Sequence, residues 1–272
     1  MSAATATAPA TPTRSYALRD AMTMLRRNLT HMRRYPSMTI SIVTMPILML
    51  LLFVYVFGGA LGTGIGAGAD RGAYVNYVVP GIILMSATSG AVATAVSVCT
   101  DMTEGIINRF RTMSISRGSV LTGHVLGSVI QVTAVVVLVM GVSLAIGFRP
   151  VAAPADWIAA FGLLVFLAFG LGWLSAAMGM GARTVESASN APLPLTFLPF
   201  LGSAVVTPDS MPTGLRWFAE YQPFTPINET LRGLLLGTPI GNQGWIALAW
   251  CTGLSLVGYL WSRAVFNREV TR

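Results

Sequence analysis

Residues 119–148 read SVLTGHVLGSVIQVTAVVVLVMGVSLAIGF, and this run determines what kind of protein the chain is. It contains no Asp, Glu or Arg, and its strongly polar interruptions are His124 and Gln131. A helix needs about 20 consecutive apolar residues to cross the hydrocarbon core of a bilayer. The run is longer than that, so it predicts a transmembrane helix.

Five further apolar runs predict spans on either side of this one, over residues 38–59, 76–99, 157–181, 187–206 and 243–262. The run 187–206 contains Pro192, Pro194 and Pro199, and each proline removes a backbone donor and bends a helix. Because neighbouring helices satisfy such breaks, we expect a kinked span there and not a loop. The predicted fold class is therefore an all-α integral membrane protein with six transmembrane helices within residues 38–264.

The overall composition agrees with a polytopic membrane protein. Apolar residues make up 54% of the 272 residues, and the 28 glycines bring the share to about 64%, against about 45–50% in a soluble domain. Charged residues make up 10%, against about 25% in a soluble domain. These figures argue against a soluble enzyme, a coiled coil and a disordered chain.

The distribution of arginine predicts the orientation. The net charge is +7, and all 17 basic residues are arginine. Six spans put both termini on one side, which then holds thirteen arginines, against four on the other side: Arg71, Arg149, Arg216 and Arg232. Basic residues concentrate in cytoplasmic loops, so both termini are predicted to be cytoplasmic. The basic surface then faces anionic lipid and a partner protein, not nucleic acid.

The segment before the first span divides into an arm and an amphipathic helix. Residues 1–13 carry no charged side chain and predict a disordered arm. Within 14–37, apolar residues recur at helical spacing, and arginines flank this stripe. We expect a helix on the inner membrane surface with its arginines toward the headgroups; the alternative is a simple topology anchor. The stripe is Leu18, Met22, Leu25, Leu29 and Met32, and the arginines are Arg19, Arg26, Arg27, Arg33 and Arg34. Residues 265–272 predict a cytoplasmic tail.

The inner connection between the second and third spans, DMTEGIINRFRTMSISRG at 101–118, contains a short amphipathic pattern. Thr103 is a predicted N-cap, and Glu104 is favourable in a first turn. The pattern predicts a helix over about 103–113 that docks a soluble cytoplasmic partner, with Phe110 between Arg109 and Arg111 as the anchor. The alternative is a capped, charged loop.

The outer segment at about 209–237 predicts a pair of helices too short to span and too apolar for a water-exposed loop. Asp209 or Ser210 is expected to cap the first helix, and Pro223 to break the pair. A re-entrant or interfacial pair fits this pattern. Glu229 and Arg232 stand one turn apart and are expected to pair. The two interpretations are a surface ion pair of little energetic value and an outer gate that includes Pro223.

No set of residues predicts catalysis or a metal site. His31 lies on the arginine-rich helix, far from His124, so no histidine pair is formed. His124 is expected to be an interfacial, hydrated side chain near the cytoplasmic end of its span. Cys99 and Cys251 are expected to be buried, inert thiols. The spans contain no clustered carboxylates of the kind that proton-coupled carriers use, so uphill transport would need a partner.

Four stretches, in this order and at this spacing, resemble the membrane subunit of type-2 ABC exporters, and most of all the daunorubicin-resistance permeases. They are PILMLLLFVYVFGG at 46–59, YVVPG at 77–81, EGIINRFRTM at 104–113 and MPTGLRWFAEYQPFTPINETLRGLLLG at 211–237. The sequence departs from the usual pattern at Ser114, where the family has proline, and at Gln222, where it has asparagine.

The resemblance implies a multi-pass permease of a bacterial plasma membrane that is not itself an enzyme and binds no cofactor. It implies a second permease subunit, identical or similar, and two separate ATP-binding subunits that hold ATP and Mg²⁺. The ATPase cleft would receive the coupling residues Glu104, Gly105, Ile106, Arg109, Phe110, Arg111 and Met113. The cargo implied is a small drug-like amphiphile; the alternatives are a lipid, glycolipid or polysaccharide, or, in another class, a stand-alone secondary carrier or channel.

Overall fold

The computed structural model describes Met22, Arg26 and residues 36–58, 71–104 and 117–269. Within these residues the regular structure is entirely helical. This agrees with the predicted all-α class. Four helical stretches are long and apolar enough to cross a membrane: Gly72–Thr103, Leu121–Ala145, Pro154–Gly181 and Gln243–Phe266. Ile42–Phe57 is a shorter apolar helix.

The long helices follow the predicted runs closely. Helix α1 (Pro36–Leu51) continues into a π-helix (Leu52–Phe57). Helices α2 (Arg71–Thr88) and α3 (Gly90–Thr103) form one nearly continuous rod. Helix α4 is Arg117–Ala145 and α5 is Pro154–Gly181. The last helix, α10, is Gln243–Glu269.

Successive helices run in opposite directions, which gives the molecule two ends. At the lower end, the Sγ of Cys99 lies 3.8 Å from the carbonyl oxygen of Ala182, where α5 has just ended. At the upper end, the backbone N–H of Arg149 donates to Oδ1 of Asn76 at 3.3 Å. The lower end therefore carries the termini of α3 and α5, and the upper end carries the beginning of α2 and the connection from α4 to α5.

Two apolar clusters hold these helices together. The larger cluster joins α1, α2, α4 and α5 to the outer segment through fully buried side chains such as Leu50, Tyr74, Phe148 and Phe224. A smaller cluster near the lower end includes Val98, Leu121, Trp173, Met180 and Phe266. Helix α10 packs on α5 but remains largely uncovered, with 17% of its most apolar stretch buried, which suits a face turned to lipid or to another subunit.

The expected kinked helix over 187–206 is not formed as one helix. The segment instead folds into α6 (Val185–Asn190), α7 (Leu193–Phe197), a 3-10 turn (Leu198–Leu201) and non-helical turns up to Val206. Pro192, Pro194 and Pro199 each lack a backbone N–H, which explains the breaks. The segment begins beside Cys99 at the lower end, and its Ser203 lies beside Tyr77 at the upper end. It therefore runs along about two thirds of the α2–α3 rod.

Two short helices are present in the segment 209–237, as predicted. Helix α8 (Thr213–Tyr221) and helix α9 (Phe224–Leu236) are separated at Pro223. Helix α9 ends at Gly237, whose φ of 68° is left-handed and favours glycine. The predicted caps are wrong: Pro212 occupies the N-cap of α8 without a side-chain hydrogen bond, and Ser210 lies in a preceding 3-10 turn (Pro208–Ser210).

Two predicted features fall largely outside the described residues. Met22 and Arg26 are helical and exposed, but Arg19, Arg27, Arg33 and Arg34 are not among those residues. The coupling residues beyond Glu104, from Gly105 to Met113, are not among them either. The predicted N-cap at Thr103 is wrong, because α3 continues to this residue. Its hydroxyl donates back to the carbonyl of Cys99 at 3.0 Å.

Candidate functional site

A polar cluster at the upper end is built around Arg232. Helix α9 places this guanidinium one turn after Glu229, and Nη1 donates to the carboxylate at 2.5 Å. Nη2 reaches two other elements, donating to the carbonyl of Ser203 at 2.8 Å and to that of Tyr77 at 3.3 Å. The guanidinium carbon also lies 3.9 Å from the centroid of the Tyr77 ring, within cation–π distance.

The carbonyl of Ser203 is the point at which this cluster converges. It accepts from Arg232, from Nδ2 of Asn228 at 2.9 Å and from the hydroxyl of Tyr77 at 3.2 Å. Ser203 lies where the broken segment has left helical geometry, so its carbonyl has no intrahelical donor. These three side chains donate to the carbonyl in place of the backbone N–H that a continuous helix would provide. The cluster therefore fastens the broken segment to α2 and α9.

The Glu229–Arg232 pairing is confirmed, but the surface interpretation of it is wrong. The Arg232 side chain is 11% exposed and bridges three elements. Arg216 of α8 provides a contrast: it contacts Asp209 of the preceding 3-10 turn at 2.6 Å and Glu220 of α8 at 2.7 Å, and 46% of its side chain is exposed. Both carboxylates raise the pKa of Arg216 above its ordinary value, Glu220 through its hydrogen bond most of all.

Close approach explains two glycines, one inside a quoted motif and one in the broken segment. A Cβ on Gly81 would overlap the carbonyl of Ala204, so α2 meets the broken segment without side chains between them. A Cβ on Gly202 would overlap the amide of Gln222 and the hydroxyl of Thr225. Two stretches that the sequence singled out, 77–81 and 211–237, thus meet across residues 202–204. A third, 46–59, reaches the same end through Gly58, which lies near Tyr74.

A cavity of about 800 Å³ opens beside the polar cluster. Its lining combines carboxylates with aromatic and aliphatic surface, which suits a ligand with an apolar body and a polar or cationic group. Residues contributed by the outer helix pair meet residues from α2 and α10 there. The lining includes Tyr77, Asp209, Glu220, Tyr221, Glu229, Arg232, Ile246 and Trp250. Pro223 is half-buried between α8 and α9 and does not line the cavity.

A second polar site lies near the lower end, between α3 and α4. Nε2 of His124 is 2.9 Å from Oδ2 of Asp101, and Nδ1 is 3.4 Å from the hydroxyl of Ser97. The expectation of a hydrated, interfacial histidine is wrong, because the His124 side chain is 4% exposed and paired. Asp101, assigned from the sequence to the inner connection, belongs to α3 and is buried.

The site residues that sequence reasoning missed are those whose partners are distant in the chain. Ser203 lies outside the four motif stretches, Asn228 was given no role within its stretch, and their contact spans 25 residues. Asp101 did give a signal, since this carboxylate comes two residues after the apolar run that ends at Cys99. The predicted span ends at Cys99, and this boundary places Asp101 in the inner connection instead of in a helix.

The described residues contain no group of three or more His, Cys, Asp or Glu side chains arranged to hold a metal ion. Cys99 and Cys251 are buried free thiols, as expected. Of the predicted coupling residues, Glu104 alone can be placed: it is the exposed C-cap residue of α3 at the lower end.

The apolar helices and their two buried polar sites define a multi-pass integral membrane protein. Residues 19–236 match the ABC-2 type transporter family, and this stretch is well over half of the chain. The chain belongs to the ABC-2 type transporter family.

Two relatives extend this comparison. The chain is 28% identical over 228 residues to the daunorubicin resistance ABC transporter permease protein DrrB1 of Streptomyces coeruleorubidus, covering 84% of this chain and 78% of the relative. It is 25% identical over 242 residues to the probable doxorubicin resistance ABC transporter permease protein DrrC of Mycobacterium tuberculosis, strain H37Rv, covering 87% and 85%. Both relatives are named as permeases of drug resistance.

Proposed function

We propose that this chain is the permease subunit of an ATP-driven exporter that moves a small hydrophobic or amphiphilic compound out of a bacterial cell. The observation that carries the proposal is the convergence of the motif stretches 77–81 and 211–237 on the upper polar cluster, with the stretch 46–59 reaching the same end of the molecule. The cavity beside this cluster joins carboxylates to aromatic rings, which supports an amphiphilic cargo. The names of the two relatives support a drug-like one.

The proposed topology has six crossings, with both termini and the lower end in the cytoplasm. The segment 182–203 supports the fifth crossing. Its ends lie beside Cys99 and Tyr77, which are 22 residues apart on the α2–α3 rod. At 1.5 Å per residue this is about 33 Å, close to the roughly 30 Å thickness of a hydrocarbon core. The excess of arginines on the lower side supports the orientation.

The proposed partners are two copies of a separate ATP-binding subunit and a second permease subunit of the same or similar sequence. The ATPase would bind the loop that contains Glu104, Arg109 and Phe110, and ATP with Mg²⁺ would be held by that subunit. The N-terminal helix would lie on anionic lipid. The exposed face of α10 supports contact with lipid or with the second permease.

The proposed outer gate consists of Glu229 and Arg232 with the break at Pro223. Support comes from the position of the ion pair, which closes one wall of the cavity and ties α9 to α2 and to the broken segment. Opening the cavity to the outside would require this pair to separate or to move with α9.

The test is reconstitution. The chain is co-expressed with the ATP-binding subunit encoded beside it, the complex is placed in liposomes, and uptake of daunorubicin is followed by its fluorescence. We expect uptake into inside-out vesicles that requires ATP and Mg²⁺. Phe110→Ala is expected to reduce it, whereas Phe197→Ala, a change of an exposed phenylalanine away from the connection, is the control.

Other outcomes point to other functions. Uptake driven by an ion gradient without ATP would indicate a secondary carrier. An ATPase that binds and hydrolyses ATP without daunorubicin uptake, but flips a fluorescent lipid, would indicate a lipid or glycolipid exporter. Absence of a stable complex would contradict the docking role.

A further inference from the structure

The buried Asp101–His124 pair links the two helices that enter and leave the inner connection. Asp101 stands three residues before Glu104, where α3 ends, and His124 stands seven residues after Arg117, where α4 begins. At 1.5 Å per residue the pair lies about 5 and 10 Å from the two helix ends. A link at this position sets how far apart the ends of the connection are held.

The pair is too buried to be an incidental contact. The His124 side chain is 4% exposed and that of Asp101 12%. Ionisable groups buried between transmembrane helices are costly and are tolerated when they are paired, so they are functional candidates by default. The 2.9 Å contact lets the imidazole donate to the carboxylate, and the hydroxyl of Ser97 lies 3.4 Å from the other ring nitrogen.

Apolar packing holds both helices on α5, and the smaller cluster extends to their lower ends through Met102 and Leu121. Gly179 of α5 lies against the backbone of Ala95, where any Cβ would overlap its carbonyl. Gly172 of α5 lies close to Val125, with 3.2 Å from a built Cβ to Cγ1. Both contacts clamp α3 and α4 onto α5. Beside these contacts, Asp101 and His124 supply a direct polar link between α3 and α4.

A second polar contact joins the same two helices farther from the connection. The hydroxyl of Thr94 donates to that of Ser128 at 2.7 Å. Thr94 is seven residues before Asp101 on α3, so this contact lies about 10 Å deeper. It offers a control that shares the two helices and the burial but not the position or the ionisable groups.

We propose that Asp101 and His124 act as a strut, a positioning pair that makes the lower ends of α3 and α4 move as one body when force is applied to the connection between them. The inference rests on the proposed function, because the force would come from the partner ATPase. Without the strut, motion at the connection would spread the two helix ends apart instead of moving both helices. ATP would then be hydrolysed with less export.

The experiment uses the full chain reconstituted with its ATP-binding subunit, and measures ATP hydrolysis and daunorubicin export in the same vesicles. The test variant is the double substitution Asp101→Leu/His124→Phe, which removes both polar groups and leaves neither buried alone. We expect complex formation and hydrolysis to persist, and export per ATP to fall about tenfold, within the ordinary range of coupling between sites. Thr94→Val is expected to leave that ratio unchanged.

A rescue variant separates positioning from packing. Asp101→His/His124→Asp exchanges the two side chains, so that the imidazole lies on α3 and the carboxylate on α4. We expect this exchange variant to recover most of the lost export per ATP. The melting temperature of each complex is measured alongside. Wild-type export per ATP in the double apolar variant would overturn the strut, as would failure of the folded exchange variant to recover it. If the unaltered complex exports nothing with ATP, the proposed function fails instead.

Discussion

Replacing Arg232 with alanine removes the side chain that ties α9 to α2 and to the broken segment. Hydrogen bonds to a charged group each contribute about 1.5–3 kcal/mol. The structure gives Arg232 three such bonds, to Glu229, Ser203 and Tyr77. The Ser203 carbonyl keeps two other donors, and Glu229 is 33% exposed, so water replaces part of the loss. We therefore expect a net cost of about 3 kcal/mol, which lowers Tm by about 10 °C in a chain of this size.

The assay is thermal unfolding of the purified chain in detergent, followed by tryptophan fluorescence. The control is Arg216→Ala. Like Arg232, Arg216 is an arginine of the outer segment that bonds to carboxylates, but its side chain is exposed. Exposed ion pairs contribute little, so Tm should change little in the control. In the Arg232→Ala background, Glu229→Ala should recover part of the loss, because it removes the unpaired carboxylate. Equal shifts for Arg232→Ala and Arg216→Ala would refute the reasoning.

Two glycine positions give further predictions. Gly81→Ala places a Cβ on the carbonyl of Ala204, so it should lower Tm and the yield of folded chain. Gly141 has open space around it, so Gly141→Ala should leave both unchanged or raise Tm. Equal behaviour of the two variants would contradict the close approach. Gly237→Ala forces a side chain onto a φ of 68° and should cost about 1 kcal/mol, read as a Tm lower by roughly 3 °C. A Gly237→Asn variant should lose less, because asparagine tolerates this conformation; a greater loss would argue against the left-handed cap.

The parts of the fold that the sequence predicted are those governed by local rules. Proline at 223 and glycine at 237 limit helix α9, and apolar runs of sufficient length produced the long helices. The segment 187–206 was harder, because three prolines are compatible with a kink or with several short helices. Its actual form depends on donors supplied by Tyr77, Asn228 and Arg232, which no local pattern reveals.

The candidate sites show the same division. The Glu229–Arg232 pair is one helical turn apart and was predicted, but its burial arises from contacts 29 and 155 residues away. His124 was misread because its depth was judged from the apolar run alone. Helix α3 continues four residues beyond Cys99, and this extension carries Asp101 to the imidazole. Pairings of this kind depend on how helices pack, which the sequence of one chain does not display.

The acceptor on which the upper cluster depends is a main-chain oxygen, the carbonyl of Ser203. Every amino acid at position 203 would present the same oxygen, so natural substitution there can alter the hydroxyl but cannot delete the acceptor. The three donors are side-chain groups, so a single substitution can remove any one of them. Sequence drift in this region should therefore be asymmetric: position 203 requires only a side chain small enough for its buried site, whereas the positions of Tyr77, Asn228 and Arg232 require particular donors.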